Sequence, residues 1–291
     1  MSVVVREALD LQTDAEPFPG YRLRQWLGRG GYGDVWESTS PDGPNVALKF
    51  LRVEEPHAAA QEVRAIQSMK RFHHPHLVQM HEVWSIPGYV VFSMELADGS
   101  LQDLLHAYHT EYGTAILPER VCTYLAQVSE AIDFLNNRQH NLNDQRVAFV
   151  HGDVKPSNML IFGETVKLAD FGMATPVMSA RCSRAPVGTP EFAAPEVYQG
   201  WMTDRTDQFA LAISYCLLRG GRLPYSHVPP SFHTTYSRPA PNLTMLPQSE
   251  RTIIAKGLAT TPQDRWPSCA AMIDALGDLS GYACATVTTA R

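Results

Sequence analysis

The chain has no apolar run approaching the roughly 18 residues that a membrane-spanning helix needs, which argues against a membrane segment within it. Its start, MSVVVREALDLQTD, offers only residues 3–5 as an apolar run, too short for the core of a secretory leader. Cysteine is scarce, with residues at 122, 182, 216, 269 and 284. An odd number without a CxxC pair fits neither a disulfide framework nor a paired-thiol site, and points to a reducing, cytoplasmic setting. Basic residues are in deficit: 24 Lys and Arg stand against 30 Asp and Glu, a net charge of −6 that argues against a general nucleic-acid binder. Internal repeats, low-complexity tracts and long charge runs are absent. What remains is a chain of 291 residues with ordinary apolar content, enough for one large domain or two lobes.

The densest chemistry lies in HGDVKPSN, residues 151–158, answered by Asp170-Phe171-Gly172. Together they bring two carboxylates, an amide and a lysine into a short span. Phosphoryl transfer from ATP needs that set: a base for a hydroxyl, two oxygen ligands for a metal, and a cation for the moving phosphate. Asp153 suits the first role and Lys155 the last. Asn158 and Asp170 supply hard oxygens for Mg²⁺, with Mn²⁺ as a substitute. Either half alone would pass for a polar turn. The two halves are separated by MLIF (159–162) and VKL (166–168), which read as a hairpin around Gly163-Glu164 with metal ligands at both ends.

These two segments resemble the catalytic loop and the metal loop of eukaryotic-like (Hanks-type) Ser/Thr protein kinases. The family usually has Arg between the His and the catalytic Asp, whereas this chain has Gly152, a non-RD arrangement. The resemblance extends in order over residues 21–279. It implies an α+β, two-lobed protein-kinase-like fold, with a small antiparallel-sheet N-lobe carrying one main helix and a larger, mostly helical C-lobe. The expected divisions are a lead-in at 1–20, an N-lobe at 21–97, a C-lobe at 98–279 and a tail at 280–291.

Along the chain, residues 21–27 alternate as a strand and lead into Gly28-Arg29-Gly30-Gly31-Tyr32-Gly33-Asp34-Val35. A Rossmann turn shares the GxGxxG pattern but opens a helix. Here DVWEST continues as β-rich sequence, so the glycines fit a hairpin lying over phosphates, where a backbone without Cβ atoms can approach closely. Val46-Ala47-Leu48-Lys49 is the next strand, and a lysine in it needs an anionic partner. The resemblance makes Lys49 the phosphate-binding lysine and Ala47 part of the adenine site. The following helix, expected over 58–72, would supply Glu62 as the partner of Lys49. The His-rich run at 73, 74, 76 and 81 lacks the cysteines or carboxylates to complete a metal set. Tyr89 to Leu96 reads as a buried strand. By resemblance, Met94 would sit behind the adenine, backbone groups of Glu95 and Ala97 would bind its edge, and Leu160 would close it from the other side.

Residues 121–135 form an amphipathic helix whose stripe is core. The stretches 107–119 and 136–149 exceed the family minimum and are expected as surface loops. After the DFG motif, GTPEFAAPE (188–196) resembles the family's substrate platform, with Thr189 beside Asp153 and Lys155. Tyrosine-directed members differ at Thr189 and Lys155, so the pair implies protein substrates with Ser or Thr. Asp207 opens the apolar helix after residue 203. It could accept that helix's own free N–H groups, whereas the family's aspartate here anchors the catalytic loop. Arg265 would pair with Glu196. Residues 224–247, rich in proline, are expected as irregular loop. Thr175, Ser179 and Ser183 are the candidate loop phosphorylation sites, with Arg181 and Arg184 as local cations.

Three functions compete. The first is an ATP- and Mg²⁺-dependent Ser/Thr protein kinase. The second is a pseudokinase or ATP-binding signalling scaffold, which would usually lack one of Lys49, Asp153 and Asp170. The third is a small-molecule kinase of related fold, which would usually lack the 188–196 platform. All of these features are present, and the first reading is the expectation carried forward.

Overall fold

The computed structural model describes residues 11–30, 33–41, 43–53, 63, 70, 72–142, 145–170, 174–177, 182–183, 188–233 and 235–280. The chain divides into two compact units, one formed by residues 1–73 and 78–97, the other by residues 74–77 and 98–291.

The first unit is an antiparallel sheet of five strands in the order β1-β2-β3-β5-β4. The strands are β1 (Leu23–Gly30), β2 (Gly33–Ser40), β3 (Gly43–Arg52), β4 (Met80–Ile86) and β5 (Tyr89–Glu95). Side chains alternate faces along a strand. In β3 this sends Val46, Leu48 and Phe50 into a cluster with Leu23, Trp36 and Val91, and Ala47, Lys49 and Leu51 to the opposite face. The segment before β1, expected as a lead-in, is anchored from Leu11 onward. Asp14 N–H donates to the Leu23 carbonyl and Leu23 N–H to the Ala15 carbonyl, both at 2.8 Å. Phe18 enters the same core and stacks on Trp84 with ring centroids 4.3 Å apart. Apolar burial thus outweighs the expectation from polar, Pro-broken sequence. Most of the helix expected over 58–72, Glu62 included, lies outside the described residues.

The second unit is mainly helical: α1 (Leu101–Ala107), α2 (Pro118–Asn136), α3 (Pro195–Tyr198), α4 (Thr206–Gly220), α5 (Gln248–Gly257) and α6 (Cys269–Ser280). A capping box opens α1: Asp103 N–H donates to the Ser100 hydroxyl, and Ser100 N–H to the Asp103 carboxylate. The expected stripe of α2, from Val121 to Leu135, is buried. Side chains of α4 are buried on nearly every face, polar Asp207, Gln208 and Ser214 included, as suits a helix in the middle of a unit. Asp133 on α2 caps α6, accepting from Cys269 N–H at 2.8 Å and Ala270 N–H at 2.9 Å.

Short strands complete this unit. The pair β9 (Met159–Phe162) and β10 (Thr165–Leu168) forms the hairpin expected from MLIF and VKL, and β6 (Gly99–Ser100) lies beside it. The stretch expected as a surface loop after α2 contains instead β7 (His140–Leu142), paired with β8 (Gln145–Val150). Val147, Ala148 and Val150 of β8 are buried, and that burial makes a hairpin where a loop was expected. The other long stretch, before α2, continues α1 through a π-helical turn at Tyr108–Tyr112. On the far side of β8 lies β11 (Thr175–Val177). Lastly, β12 (Cys182–Ser183) pairs with β13 (Trp201–Met202). Residues 221–247 hold no helix or strand among those described.

Candidate active site

The catalytic-loop motif sits between β8 and β9, and its shape is set by buried polar groups. The side chain of His151 is fully buried. Its Nε2 lies 2.9 Å from the Ala169 carbonyl, and its Nδ1 accepts the Asp153 N–H at 3.2 Å. The two bonds require the tautomer protonated on Nε2. The N–H groups of His151 and Gly152 both donate to the carboxylate of Asp207, at 2.7 and 2.9 Å. Asp207 therefore serves the loop in place of its own helix. No side chain caps α4, whose first residue Thr206 instead accepts from Thr203 N–H. Burial pushes the Asp207 carboxyl up, against the two backbone N–H donors that hold it down.

Asp153 is 4% exposed, and its carboxylate is held on both oxygens. Oδ1 accepts from the Thr189 hydroxyl at 2.7 Å, and Oδ2 lies 2.9 Å from Lys155 Nζ. Lys155 Nζ also donates to Thr189 Oγ1 at 2.6 Å, closing a three-membered ring of side chains. A hydroxyl can donate once while accepting, so the ring is chemically consistent. Burial alone would raise the Asp153 carboxyl. The Lys155 charge and the bonds from Lys155 and Thr189 outweigh it, and hold the group below its usual value.

Asn158 ends a 3₁₀ turn that begins at Pro156. Its Nδ2 donates to Asp153 at the carbonyl (2.8 Å) and at Oδ2 (3.1 Å), which fixes the amide and leaves Oδ1 as its acceptor. The β9–β10 hairpin then returns the chain. Met159 and Leu168 are its closing pair, and Ala169 N–H donates to the Asn158 carbonyl at 2.8 Å. Asp170 therefore follows directly beside Asn158, in a left-handed conformation (φ 62°) that non-glycine residues seldom adopt. Two hard oxygen donors at the ends of one hairpin fit a divalent ion of the magnesium class. Phe171 and Gly172 lie outside the described residues.

Lys49 is buried at the centre of β3, opposite Val35 on β2 and Phe92 on β5. A cation in that position fits an anionic ligand. Ala47 is paired with Met94, and both are buried. Glu95 N–H donates to the Gln79 carbonyl, and its carboxylate accepts from Gln79 N–H; Ala97 follows just after β5. Gly28 and Gly30 lie on β1 and Gly33 on β2, while Gly31 lies outside the described residues. Arg29 is tied to Asp34 across the hairpin, Nε to Oδ1 at 2.8 Å and Nη2 to Oδ2 at 3.1 Å. Leu160, in the second unit, faces Lys167 and Ser100 across the strands beside it.

Around the platform, Glu196 and Arg265 form a bidentate pair with both bonds at 2.7 Å, almost wholly buried. Thr206 adds its hydroxyl to the same carboxylate at 2.9 Å. Thr175 does not suit a phosphorylation site: it is 4% exposed in β11, opposite Val150. Strand pairing buries it where the sequence suggested an open loop. The backbone of Ser183 is paired with Trp201, and Ser179, Arg181 and Arg184 lie outside the described residues. Among the histidines, His74 stacks on Phe134, His76 Nδ1 lies 3.0 Å from the Val166 carbonyl, and His73 Nδ1 lies 3.0 Å from Gln79 Oε1. Sequence reasoning missed two residues that shape the site's surroundings, Asp133 and Arg238. Each acts on partners far away in the chain, with no local pattern to announce it.

A protein kinase domain model matches residues 21–274. The chain belongs to the protein kinase domain family. Among curated relatives it is similar to the serine/threonine-protein kinase PknF of Mycobacterium tuberculosis (strain ATCC 25618 / H37Rv), at 31% identity over 93% of this chain and 58% of that protein. It is also similar to the serine/threonine-protein kinases PknE and PknI of Mycobacterium bovis (strain ATCC BAA-935 / AF2122/97). Identity to PknE is 29% over 94% of this chain and 47% of that protein. For PknI it is 28% over 92% and 43%. The chain thus spans about half the length of the curated relatives it matches. As a kinase domain it carries the family's two-part α+β organisation, an antiparallel five-stranded sheet followed by a mostly helical region. Among the described residues, no helix is long and apolar enough to cross a membrane.

Proposed function

We propose that the chain is an ATP-dependent protein kinase that phosphorylates serine and threonine hydroxyls of other proteins, with the cytoplasm, where ATP is made, as its setting. The observation that carries this reading is the ring Asp153–Lys155–Thr189. A base on a phosphoryl-transfer enzyme must be ionised, oriented and next to a cation. Asp153 has each property: a lowered carboxyl, two fixed oxygens, and Lys155 at 2.9 Å.

In this reading Asp153 orients the acceptor hydroxyl and takes its proton. Lys155 stands beside the oxygens of the group in transit. Asn158 and Asp170 would hold the metal through oxygen atoms. Lys49, steadied by Glu62, grips the nucleotide phosphates under the Gly28–Gly33 hairpin and Val35. Ala47, Met94, Glu95 and Ala97 would receive the base, and the family resemblance assigns Leu160 to the same role. Magnesium-bound ATP supplies a phosphoryl group whose charge the metal partly neutralises. We assign residues 21–97 to the nucleotide-gripping lobe and 98–279 to the lobe that presents the acceptor.

Gly152 sets the mode of control. With no guanidinium beside Asp153, a phosphate on the loop lacks the family's usual partner. Backbone pairing supports order by another route: Cys182 and Ser183 are laddered onto Met202 and Trp201. We therefore read the enzyme as active without loop phosphorylation.

The test is transfer of labelled γ-phosphate to a serine/threonine protein substrate by the parent chain and by Asp153→Asn. Transfer by the parent and its near-loss in the variant support the reading. ATP binding without transfer by the parent would point to the signalling scaffold instead.

A further inference from the structure

The irregular segment 221–247 carries a guanidinium that reaches back some 45 residues. Arg238 Nε donates to the Ala193 carbonyl at 2.8 Å. Its Nη2 donates to Pro190 at 2.6 Å and to Glu191 at 3.0 Å. Tyr198 adds its hydroxyl to the same Pro190 carbonyl at 2.8 Å. The guanidinium carbon lies 4.6 Å from the ring centre of Tyr225, and 5.5 Å from those of Tyr198 and Phe209.

An aromatic cage of this kind would hold a methionine or leucine without any cost of burying charge. The cage offsets part of that cost by cation–π attraction. The cost is nevertheless real: burial lowers the Arg238 pKa despite the surrounding tyrosines, and Nη1 is buried without a hydrogen-bond partner among the described residues. What the charge provides is three charge-assisted bonds to carbonyls within four residues, which the planar fork of arginine can make and the ammonium of lysine cannot reproduce. Three carbonyls turned towards one cation leave that stretch of backbone little freedom. The stretch begins at the residue after Thr189, whose hydroxyl rests on Asp153. It is the chain immediately beside the proposed base.

We propose that Arg238 is a positioning residue which sets segment 190–193, and through it the seat of the acceptor protein, against Asp153. The inference rests on the kinase reading for the acceptor, but not for the clamp itself.

The experiment has two arms, each run on Arg238→Met, which keeps the cage filled, and on Arg238→Lys, which keeps the charge and loses the fork. In the first arm, hydrogen exchange follows the amides of residues 191–194, with α2 as internal reference. In the second, KM is measured for a serine/threonine protein substrate and for ATP. We expect exchange at 191–194 to rise at least about tenfold in Arg238→Met, and KM for the acceptor by a similar factor, since even one of its three charge-assisted bonds is worth that much. KM for ATP should stay level, and Arg238→Lys should fall between parent and Arg238→Met. Should Arg238→Met fail to fold, the same comparisons are made with Arg238→Lys. Unchanged exchange at 191–194, or acceptor and ATP KM values rising in step, would overturn the proposal. A parent chain that transfers no phosphate to any protein refutes the kinase reading instead, while the exchange arm still decides the clamp.

Discussion

A side chain on Gly188 would collide with the backbone carbonyl oxygen of Gly152. Both residues have positive φ, 93° and 81°. The close approach lets the segment bearing Thr189 lie flat on the catalytic loop, and the Thr189–Asp153 bond at 2.7 Å follows from it. Glycine at 152 also removes backbone strain that an arginine there would have to bear.

Gly188→Ala should therefore lose stability and activity together. A side chain forced into this conformation costs about 1–3 kcal/mol, and the carbonyl contact adds to it. Urea denaturation gives the first quantity and phosphotransfer the second. A variant as stable and active as the parent would show that the two segments part at no cost.

Asp153→Asn should bind ATP like the parent and lose at least ~10²-fold in turnover, the low end for a positioned base. The pH profile offers an independent check. With its carboxyl held low, the acid limb that this group sets in the parent should lie below the ordinary carboxylate value, about 3.9. Lys155→Met removes the cation that opposes burial, so the carboxyl should rise and the acid limb should move towards neutral pH. An unmoved limb would mean that Lys155 does not govern this group. The sign also holds for stability: a depressed carboxyl stabilises the fold above its unfolded value, about 3.9, and that contribution fades as pH falls through the folded value.

Arg265→Met should cost about 3–5 kcal/mol, because it leaves the Glu196 carboxylate buried without its cation. Urea unfolding measures the loss. Changing both partners to apolar residues should recover much of it, since no unpaired charge then remains. A single variant unfolding at the parent's midpoint would contradict this.

Phosphatase treatment should leave turnover intact, and Ser179→Ala with Ser183→Ala should match the treated parent. Thr175 is left in place because it is buried in β11. Activity that disappears on dephosphorylation and in the double variant would show that loop phosphate orders the segment after all.

Local pattern explains what the sequence revealed. The β9–β10 hairpin announced itself through two short apolar runs around Gly163-Glu164, and α2 through its stripe. Asn158 and Asp170 sit at the ends of that hairpin, so their proximity was legible as well. Other features depend on partners far along the chain. Asp133 caps a helix that starts 136 residues later, and nothing near it in sequence marks that role. Arg238 lies among prolines that suggested only loop. The β7 strand exists because β8 is buried, a fact of packing rather than of composition. Phe18 looked like part of a polar lead-in until Trp84 was seen to receive it. Residues 58–62, on which the partner of Lys49 was placed, lie outside the described residues, so Glu62 stands on the resemblance alone.

The two amides that shape the catalytic loop end on Asp207, 56 and 55 residues further along the chain. On the ribosome, Asp153, Asn158 and Asp170 therefore emerge well before the group that anchors their loop. A nascent chain released short of α4 would carry the proposed base and metal ligands without the carboxylate that fixes the His151-Gly152 backbone. Competence for phosphate transfer would then arrive late in synthesis, once the helical unit has closed around Asp207. Products that end before Asp207 would lack the anchor of the proposed catalytic loop.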